Sequence, residues 1–326
     1  PVLFKNSFHL LVDNFSLNYK FLLYKLIVWL IGLALSAALL YPTLRMLFTS
    51  EAFEGTVQLF KDFLHALVSG DTEFLTGFAE NLQAQLNVLI DFFREKTPNV
   101  VFFFVALVLI WLLNRFLGGV GNFAFGGLID HRMSSYAKIP FMNAFIGGFG
   151  KACLWQVIYV PLSFLFNAAL VALCYVVFVF LLSVIAVKLV ATVAALMVSV
   201  ALLVAAQAVK LTLCNDVVPA MVSDKAKLRT ALKKSFSFKE KGRFGALFST
   251  YLVTAMLILC VNVLFALSSF GAALLITVPM SYLILICIQF VGYYTYGKKK
   301  YFLGEDQIVS PKREKKEENF YDDFEL

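Results

Sequence analysis

The sequence predicts an all-α polytopic transmembrane helical bundle of about six spans, with an extracytoplasmic helical hairpin and cytoplasmic interfacial helices. Apolar residues make up 60% of the 326 residues and charged residues only 15%, whereas soluble domains contain about half and about a quarter. The mean hydropathy is +0.81. Several apolar runs reach about 20 residues, the length that crosses a bilayer as a helix with all its backbone groups satisfied.

Apolar stretches place the spans along the chain. Four are separate runs, whereas the stretch from Ala152 to Leu213 is too long for one span and is divided into two, with Lys188 at the turn. The predicted spans are 23–41, 100–117, 153–180, 190–213, 247–267 and 272–294, within a membrane domain over residues 1–303. We interpret the first span as an uncleaved anchor, because its polar leader is long and its apolar run continues without a break.

The basic residues set the orientation. The segment from Arg45 to Lys96 has four basic residues against eight acidic ones, whereas the segment from Asn215 to Gly245 has eight against three. Cytoplasmic loops carry the excess of Lys and Arg. We therefore expect a multi-pass protein of the bacterial inner membrane with both termini in the cytoplasm.

The outer segment, residues 51–97, has apolar residues at spacings of three and four on both sides of the sequence from Ser69 to Thr72. This pattern predicts two amphipathic helices that form a hairpin. Thr72 is the predicted N-cap of the second arm and Pro98 its predicted end. The hairpin either lies on the outer interface and covers the bundle, or docks a partner or a lipid.

The last residues, 304–326, alternate charges with few apolar residues. Such a segment buries too little apolar surface to offset the entropy of ordering. We expect a disordered, charged cytoplasmic tail.

A basic amphipathic helix is predicted from Ser223 to Phe236, with Ser223 as its cap and Gly242 as terminator. Leu228, Leu232 and Phe236 belong to its apolar stripe, and we expect them to be buried beneath the lipid headgroups. The cations expected to contact lipid headgroups are Lys225, Arg229, Lys233 and Lys234. Anionic headgroups attract each such cation by about 1 kcal/mol. The positive-inside rule alone explains the charge but does not require the stripe.

Four amides within the predicted spans form a second group of candidate residues. They are Gln156, Asn167, Gln207 and Asn262. They either form hydrogen bonds between helices, at about 1 kcal/mol each, or line a polar cavity between the spans.

No catalytic residues, metal ligands or cofactors are predicted. No Asp, Glu or His falls in the middle of a predicted span, and His9, His65 and His131 are scattered along the chain. The five cysteines lack the spacing of a metal site. The net charge of +7 arises mainly from segments between spans, so we expect no nucleic-acid partner.

A family resemblance lies in the segment that follows the fourth span. Residues Val218–Val222, Ala231–Phe236 and Lys241–Gly242 resemble the motif of the membrane domain attached to some bacterial glycerophosphodiester phosphodiesterases and of related stand-alone multi-pass proteins. The resemblance covers about the last 120 residues, with a fainter repeat from Phe141 to Lys151. It implies a membrane helical bundle with cytoplasmic interfacial helices. In that family the chemistry belongs to a separate soluble domain, which we do not expect in this chain.

These features predict a non-enzymatic bacterial integral membrane protein, a scaffold or accessory subunit that contacts anionic lipids and an envelope protein partner. The alternative is a transporter or lipid-translocating protein with a polar cavity between the spans. An enzyme acting on lipid headgroups is the third interpretation.

Overall fold

The computed structural model describes residues 2–185, 187–237 and 242–311, and it confirms the predicted fold class. Over these residues the chain is a helical, multi-pass membrane protein, and six of its helices are long and apolar enough to cross a membrane. The elements are α1 (Val2–Asp13), α2 (Ser16–Phe48), α3 (Glu51–Ser69), α4 (Thr72–Glu95), α5 (Thr97–Ser135), α6 (Phe141–Val184), α7 (Lys188–Leu213), α8 (Val217–Val222), α9 (Leu228–Ser235), α10 (Arg243–Ser268), α11 (Leu274–Tyr296), β1 (Tyr301–Gly304) and β2 (Gln307–Val309).

Two compact units divide the chain. The first unit combines the residues up to Leu26 with those from Phe116 onward, and the second runs from Ile27 to Arg115.

Several long helices extend beyond the apolar runs that predict them. Helix α6, for example, begins at Phe141, well before the predicted span at 153. These extensions carry residues of the protein core, so apolar length alone does not define the helix ends.

One hydrophobic core organises the first unit. It joins α1, α8, α9 and β1 to the neighbouring ends of α2, α5, α6, α7, α10 and α11. Phe21 and Phe125 are fully buried at its centre, with their ring centroids 4.5 Å apart. The buried residues of α10 lie in its first half and those of α11 mainly in its second half. The core therefore lies at one end of these helices, which we call the packed end.

Two glycines allow α5 to be approached closely at the packed end. A Cβ at Gly121 would lie 2.1 Å from the Tyr24 ring, and one at Gly119 would lie 2.0 Å from the Gln156 amide oxygen. The Tyr24 hydroxyl also donates a hydrogen bond to the Leu117 carbonyl at 2.7 Å. A larger residue at either glycine would force the half-buried Tyr24 or the buried Gln156 out of its position.

Helices α6 and α7 form an antiparallel pair, and Lys188 is the first residue of α7. Ala191 and Ala195 are fully buried, and Leu170 is 6% exposed. Small side chains let helices approach closely in a membrane, where packing contacts replace the hydrophobic effect as the driving force.

In the second unit, α3 and α4 form the predicted helical hairpin. The Phe63 and Phe78 ring centroids are 4.3 Å apart, and Gln85 Nε2 donates to the Ala52 carbonyl at 2.8 Å. Gly70 ends α3 with a φ of 73°, a left-handed conformation that favours glycine.

The predicted ends of the second arm are wrong. The N-cap of α4 is Asp71, not Thr72, because the Asp71 carboxylate accepts from the Phe74 amide at 3.1 Å. Pro98 does not end α4, which stops at Glu95, but is the second residue of α5. Proline is tolerated there because the first helical turn leaves its N–H groups without intrahelical partners.

The tail prediction is also wrong at its start. Residues 304–309 take part in an antiparallel hairpin in which Phe302 pairs with Ile308. Tyr301 is only 1% exposed, and its hydroxyl accepts a hydrogen bond from Asn6 Nδ2 at 3.1 Å. Packing against α1 therefore orders this segment. Residues 312–326 of the predicted tail lie outside the described residues.

Candidate functional site: a charged cluster at the packed end

The segment that carries the four predicted headgroup cations contains less helix than the sequence predicts. Ser223 ends α8, Lys225 has a left-handed φ of 53°, and α9 begins only at Leu228. The Ala226 amide donates to the Ala220 carbonyl at 3.1 Å and closes the turn. Gly242 does not terminate this helix but precedes α10 with a φ of 79°. In place of the predicted continuous helix from Ser223 to Phe236, the structure therefore has a turn followed by the short helix α9.

Helix α9 turns its apolar face toward the protein. Leu228 is 9% exposed and Ala231 is fully buried, and Leu232 packs against the core. Phe236, by contrast, is 55% exposed. Leu228 and Leu232 are therefore not buried beneath headgroups as expected, because the core of the first unit covers the apolar face of α9.

Asp224, in the turn before α9, is the centre of a charged cluster. Lys234 Nζ donates to its carboxylate at 3.0 Å, and Lys299 Nζ and the Tyr293 hydroxyl donate to it as well. Partial burial opposes the charged form, but these hydrogen bonds outweigh it and hold the pKa of Asp224 at about 2. Asp224 is therefore a carboxylate at neutral pH, and it ties α9 to the end of α11.

The four predicted cations divide into one that is engaged and three that face outward. Lys234 contacts Asp224 and also donates to the Tyr293 hydroxyl at 2.5 Å. Lys225, Arg229 and Lys233 are exposed, and none forms an ion pair with a described residue. The outward group of three is thus the part of the predicted set that can meet an anion.

A second polar cluster, which the sequence analysis missed, lies deeper in the packed end. Arg243 forms an ion pair with Asp216, whose side chain is only 2% exposed. Asn215 donates to the Asp216 carboxylate at 2.8 Å and accepts from the Tyr251 hydroxyl at 2.6 Å. The Asp216 amide in turn donates to Ser235 Oγ at 3.3 Å. This cluster joins the end of α7 to α9 and to the start of α10.

Tyr294 extends the polar contacts to α5. Its hydroxyl donates to the Asp130 carboxylate at 2.8 Å and accepts from Ser223 Oγ at 3.4 Å. Lys299 Nζ donates to the same Ser223 hydroxyl at 3.2 Å. Side chains from α5, α8 and α11 therefore meet at one point, and together with the clusters around Asp216 and Asp224 they fix the position of α9.

The four amides predicted to line a cavity are distributed over separate helix contacts. Gln207 Nε2 donates to Asn167 Oδ1 at 2.9 Å between α7 and α6. Asn262 Nδ2 donates to Ser281 Oγ at 3.3 Å between α10 and α11. Gln156 is 4% exposed and packs against Gly119 of α5. The structure therefore brings Asn167 and Gln207 together but does not gather all four amides around one space.

Lys210 belongs to the contact between α6 and α7. Its Nζ donates to Ser163 Oγ at 3.3 Å and to Asn167 Oδ1 at 3.5 Å. Asn167 thus accepts from two residues of α7. These bonds fit the interpretation of the amides as links between helices.

No protein-family model, curated protein or solved structure gives a significant match to this chain. The resemblance to the phosphodiesterase-linked membrane domain therefore stays a prediction. Two of the segments that carry it, Val218–Val222 and Ala231–Phe236, occupy the packed end, whereas Lys241 lies outside the described residues. Ala220, Met221 and Ala231 are buried, and the Met221 carbonyl accepts from Lys151 Nζ at 3.1 Å.

Proposed function

We propose that the protein is a non-enzymatic integral membrane protein of the bacterial inner membrane, a scaffold or accessory subunit that contacts anionic lipids at its cytoplasmic end. The observation that carries the proposal is the outward group of Lys225, Arg229 and Lys233. Asp216 and Asp224, the two described carboxylates that precede it in sequence, are both engaged in internal ion pairs. Exposed cations that form no ion pair with the described carboxylates attract anionic headgroups.

The proposed orientation is supported by the composition of the packed end. Helix α1, α9 and β1 share one core, so the segments near both ends of the described chain lie on the same side of the helices. This is also the side that carries the excess of Lys and Arg, which the positive-inside rule assigns to the cytoplasm.

The hairpin of α3 and α4 supports the proposal of an additional envelope partner. Leu64 is 62% exposed, Leu67 58% and Val68 88%. The competing transport function has less support, because it needs the four amides around one cavity and they are distributed over several helix contacts.

Photo-crosslinking tests the lipid contact at the proposed surface. The purified protein is placed in nanodiscs that contain a headgroup-photoactivatable phosphatidylglycerol or the matching phosphatidylcholine, and crosslinked peptides are identified by mass spectrometry. We expect residues 225–236 to be labelled several-fold more by the anionic lipid. The triple variant Lys225→Gln, Arg229→Gln, Lys233→Gln should remove this preference.

Lys61→Gln is the matched control, because Lys61 is an exposed lysine of α3 outside the proposed surface. It should leave the labelling of residues 225–236 unchanged. Equal labelling by both lipids in the unsubstituted protein would refute the proposed function.

A further inference from the structure

An open cleft in the first unit lies between the start of α2 and the end of α5. Its volume is about 370 Å³, and its lining includes Leu17, Lys20, Arg132, Tyr136 and Lys138. Ligand-binding clefts commonly have volumes of about 300–1,000 Å³. The cleft is therefore large enough for a phosphate group and part of the molecule that carries it.

The cleft has an excess of positive charge. Its lining contains three cations, Lys20, Arg132 and Lys138, and one carboxylate, Asp13. None of the three cations forms an ion pair with a residue that the structure describes. Three cations that line one space, without ion pairs to the carboxylates of the described chain, make that space a site for an anion.

The carboxylate is already engaged. Asp13 accepts from Asn14 Nδ2 at 3.5 Å and interacts with the Tyr136 hydroxyl. Glu305 also interacts electrostatically with Tyr136 but does not line the cleft. Even when Glu305 is counted with the lining residues, the positive charges exceed the negative ones.

The guanidinium of Arg132 is held in place by the end of α5. It lies over the Tyr136 ring, 5.4 Å from the centroid, and the Tyr136 amide donates to the Arg132 carbonyl at 3.0 Å. Tyr136 has a φ of 54°, which stops the helix and folds its ring back toward Arg132. A planar guanidinium in a fixed position suits bidentate binding to phosphate oxygens.

The surroundings of Lys20 indicate a lipid as the source of the phosphate. The predicted first span begins at residue 23, and Leu23, about one turn after Lys20 on α2, is 61% exposed. Tyr19 is 58% exposed, and tyrosines favour the membrane interface. A headgroup in the cleft would thus have apolar helix surface beside it for its acyl chains.

We propose that this cleft binds the phosphate of an anionic phospholipid from the cytoplasmic leaflet. The proposal rests on the cytoplasmic orientation in the proposed function, and it adds a specific lipid site there. It uses Lys20, Arg132 and Lys138, a set of cations distinct from those of the α9 surface.

Lipid binding by two matched triple variants tests the proposal. The cleft variant is Lys20→Gln, Arg132→Gln, Lys138→Gln, and the α9 variant is Lys225→Gln, Arg229→Gln, Lys233→Gln. Native mass spectrometry measures phosphatidylglycerol and phosphatidylcholine bound to the full chain in a nonionic detergent. We expect the cleft variant to lose at least about tenfold in affinity for phosphatidylglycerol, because it loses three charged contacts. Its loss of affinity for phosphatidylcholine should be smaller, because the choline cation offsets the charge of the phosphate.

Further measurements separate the cleft from its alternatives. Arg132→Lys keeps the charge but loses the planar fork, so it should bind phosphatidylglycerol more weakly than the unsubstituted protein and more tightly than the cleft variant. If the cleft variant does not fold, the single variants of the exposed Lys20 and Lys138 replace it, each with an expected loss of several-fold. Inorganic phosphate at millimolar concentration should not displace the lipid, and displacement would assign the cleft to a free phosphate instead.

The two variants also separate this proposal from the proposed function. Phosphatidylglycerol binding lost only in the α9 variant would overturn the cleft site and leave the proposed function standing. Loss only in the cleft variant would support the cleft and count against the α9 surface. Full binding in both variants would refute both.

Discussion

The two ends of α10 and α11 differ in how they are packed, although both ends are apolar. At the packed end, Leu247 and Leu283 are fully buried. Toward the other end, Leu264 is 66% exposed and Leu275 is 58% exposed. We call this second region, from Ala255 on α10 to Val278 on α11, the open end.

This difference shows what holds helices together in a membrane. Lipid is as apolar as leucine, so an apolar surface alone does not make helices associate. The packed end has specific contacts instead, such as the ion pair of Asp216 with Arg243 and the hydrogen bond of Tyr251 to Asn215. We therefore expect stability to depend on the packed end far more than on the open end.

The largest expected effect comes from breaking the buried ion pair. Arg243→Met leaves the Asp216 carboxylate buried without its cation, which should lower the free energy of unfolding by about 3–5 kcal/mol. Chemical denaturation in detergent micelles measures the change. The double variant Asp216→Leu, Arg243→Met should be less destabilised than the single one, because no uncompensated charge remains.

Lys188→Met is the control at the other end of α7, where the lysine is exposed. It should change the free energy of unfolding by less than about 0.5 kcal/mol. An equal loss in Arg243→Met and Lys188→Met would remove the distinction between the packed end and the rest of the unit.

A smaller effect is expected from two leucines of α11. Leu283→Ala opens a cavity in the core and should cost about 1–3 kcal/mol, less than in many soluble cores because lipid solvates the unfolded helices. Leu275→Ala should cost less than about 0.5 kcal/mol, since this side chain is 58% exposed. The same denaturation experiment measures both, and similar losses would mean that the open end is packed in the membrane, for instance by a second copy or a partner.

Much of the fold could be predicted from the sequence because its signals are local. Long apolar runs indicate the six spans, and the spacing of three and four from Phe53 to Leu67 indicates the first arm of the hairpin. Both signals lie within the segment that they describe. They depend on one helix at a time and not on how helices meet.

The candidate site could be predicted only in part, because its contacts are distant in sequence. Asp216 and Arg243 are separated by 27 positions, and counting loop charges adds them together without pairing them. The order in β1 depends on Asn6, which is 295 positions from Tyr301. An amphipathic stripe like that of α9 also does not reveal whether protein or lipid covers it.

The smallest effect concerns Asp224, and it appears only in acid. Its pKa is about 2 in the folded protein, below the ordinary value of 3.8, because Lys299, Tyr293 and Lys234 donate to the carboxylate. Between these two values the unfolded chain binds more protons, so stability rises with pH there. The contribution should be fully present above about pH 4 and lost as the pH falls toward about 2.

Melting temperatures in a nonionic detergent, taken between pH 5 and pH 2.5, test this linkage. The melting temperature of the unsubstituted protein should fall as the pH drops below about 4, and Asp224→Asn should flatten that part of the curve. The change should be small, because Asp224 and its two lysines are each about a third or more exposed and water screens their attraction. Asp91→Asn, on exposed α4, is the matched control and should leave the slope as it is. A slope that persists in Asp224→Asn would mean that other carboxylates cause the acid sensitivity, and that the Asp224 cluster does not hold α9 against α11.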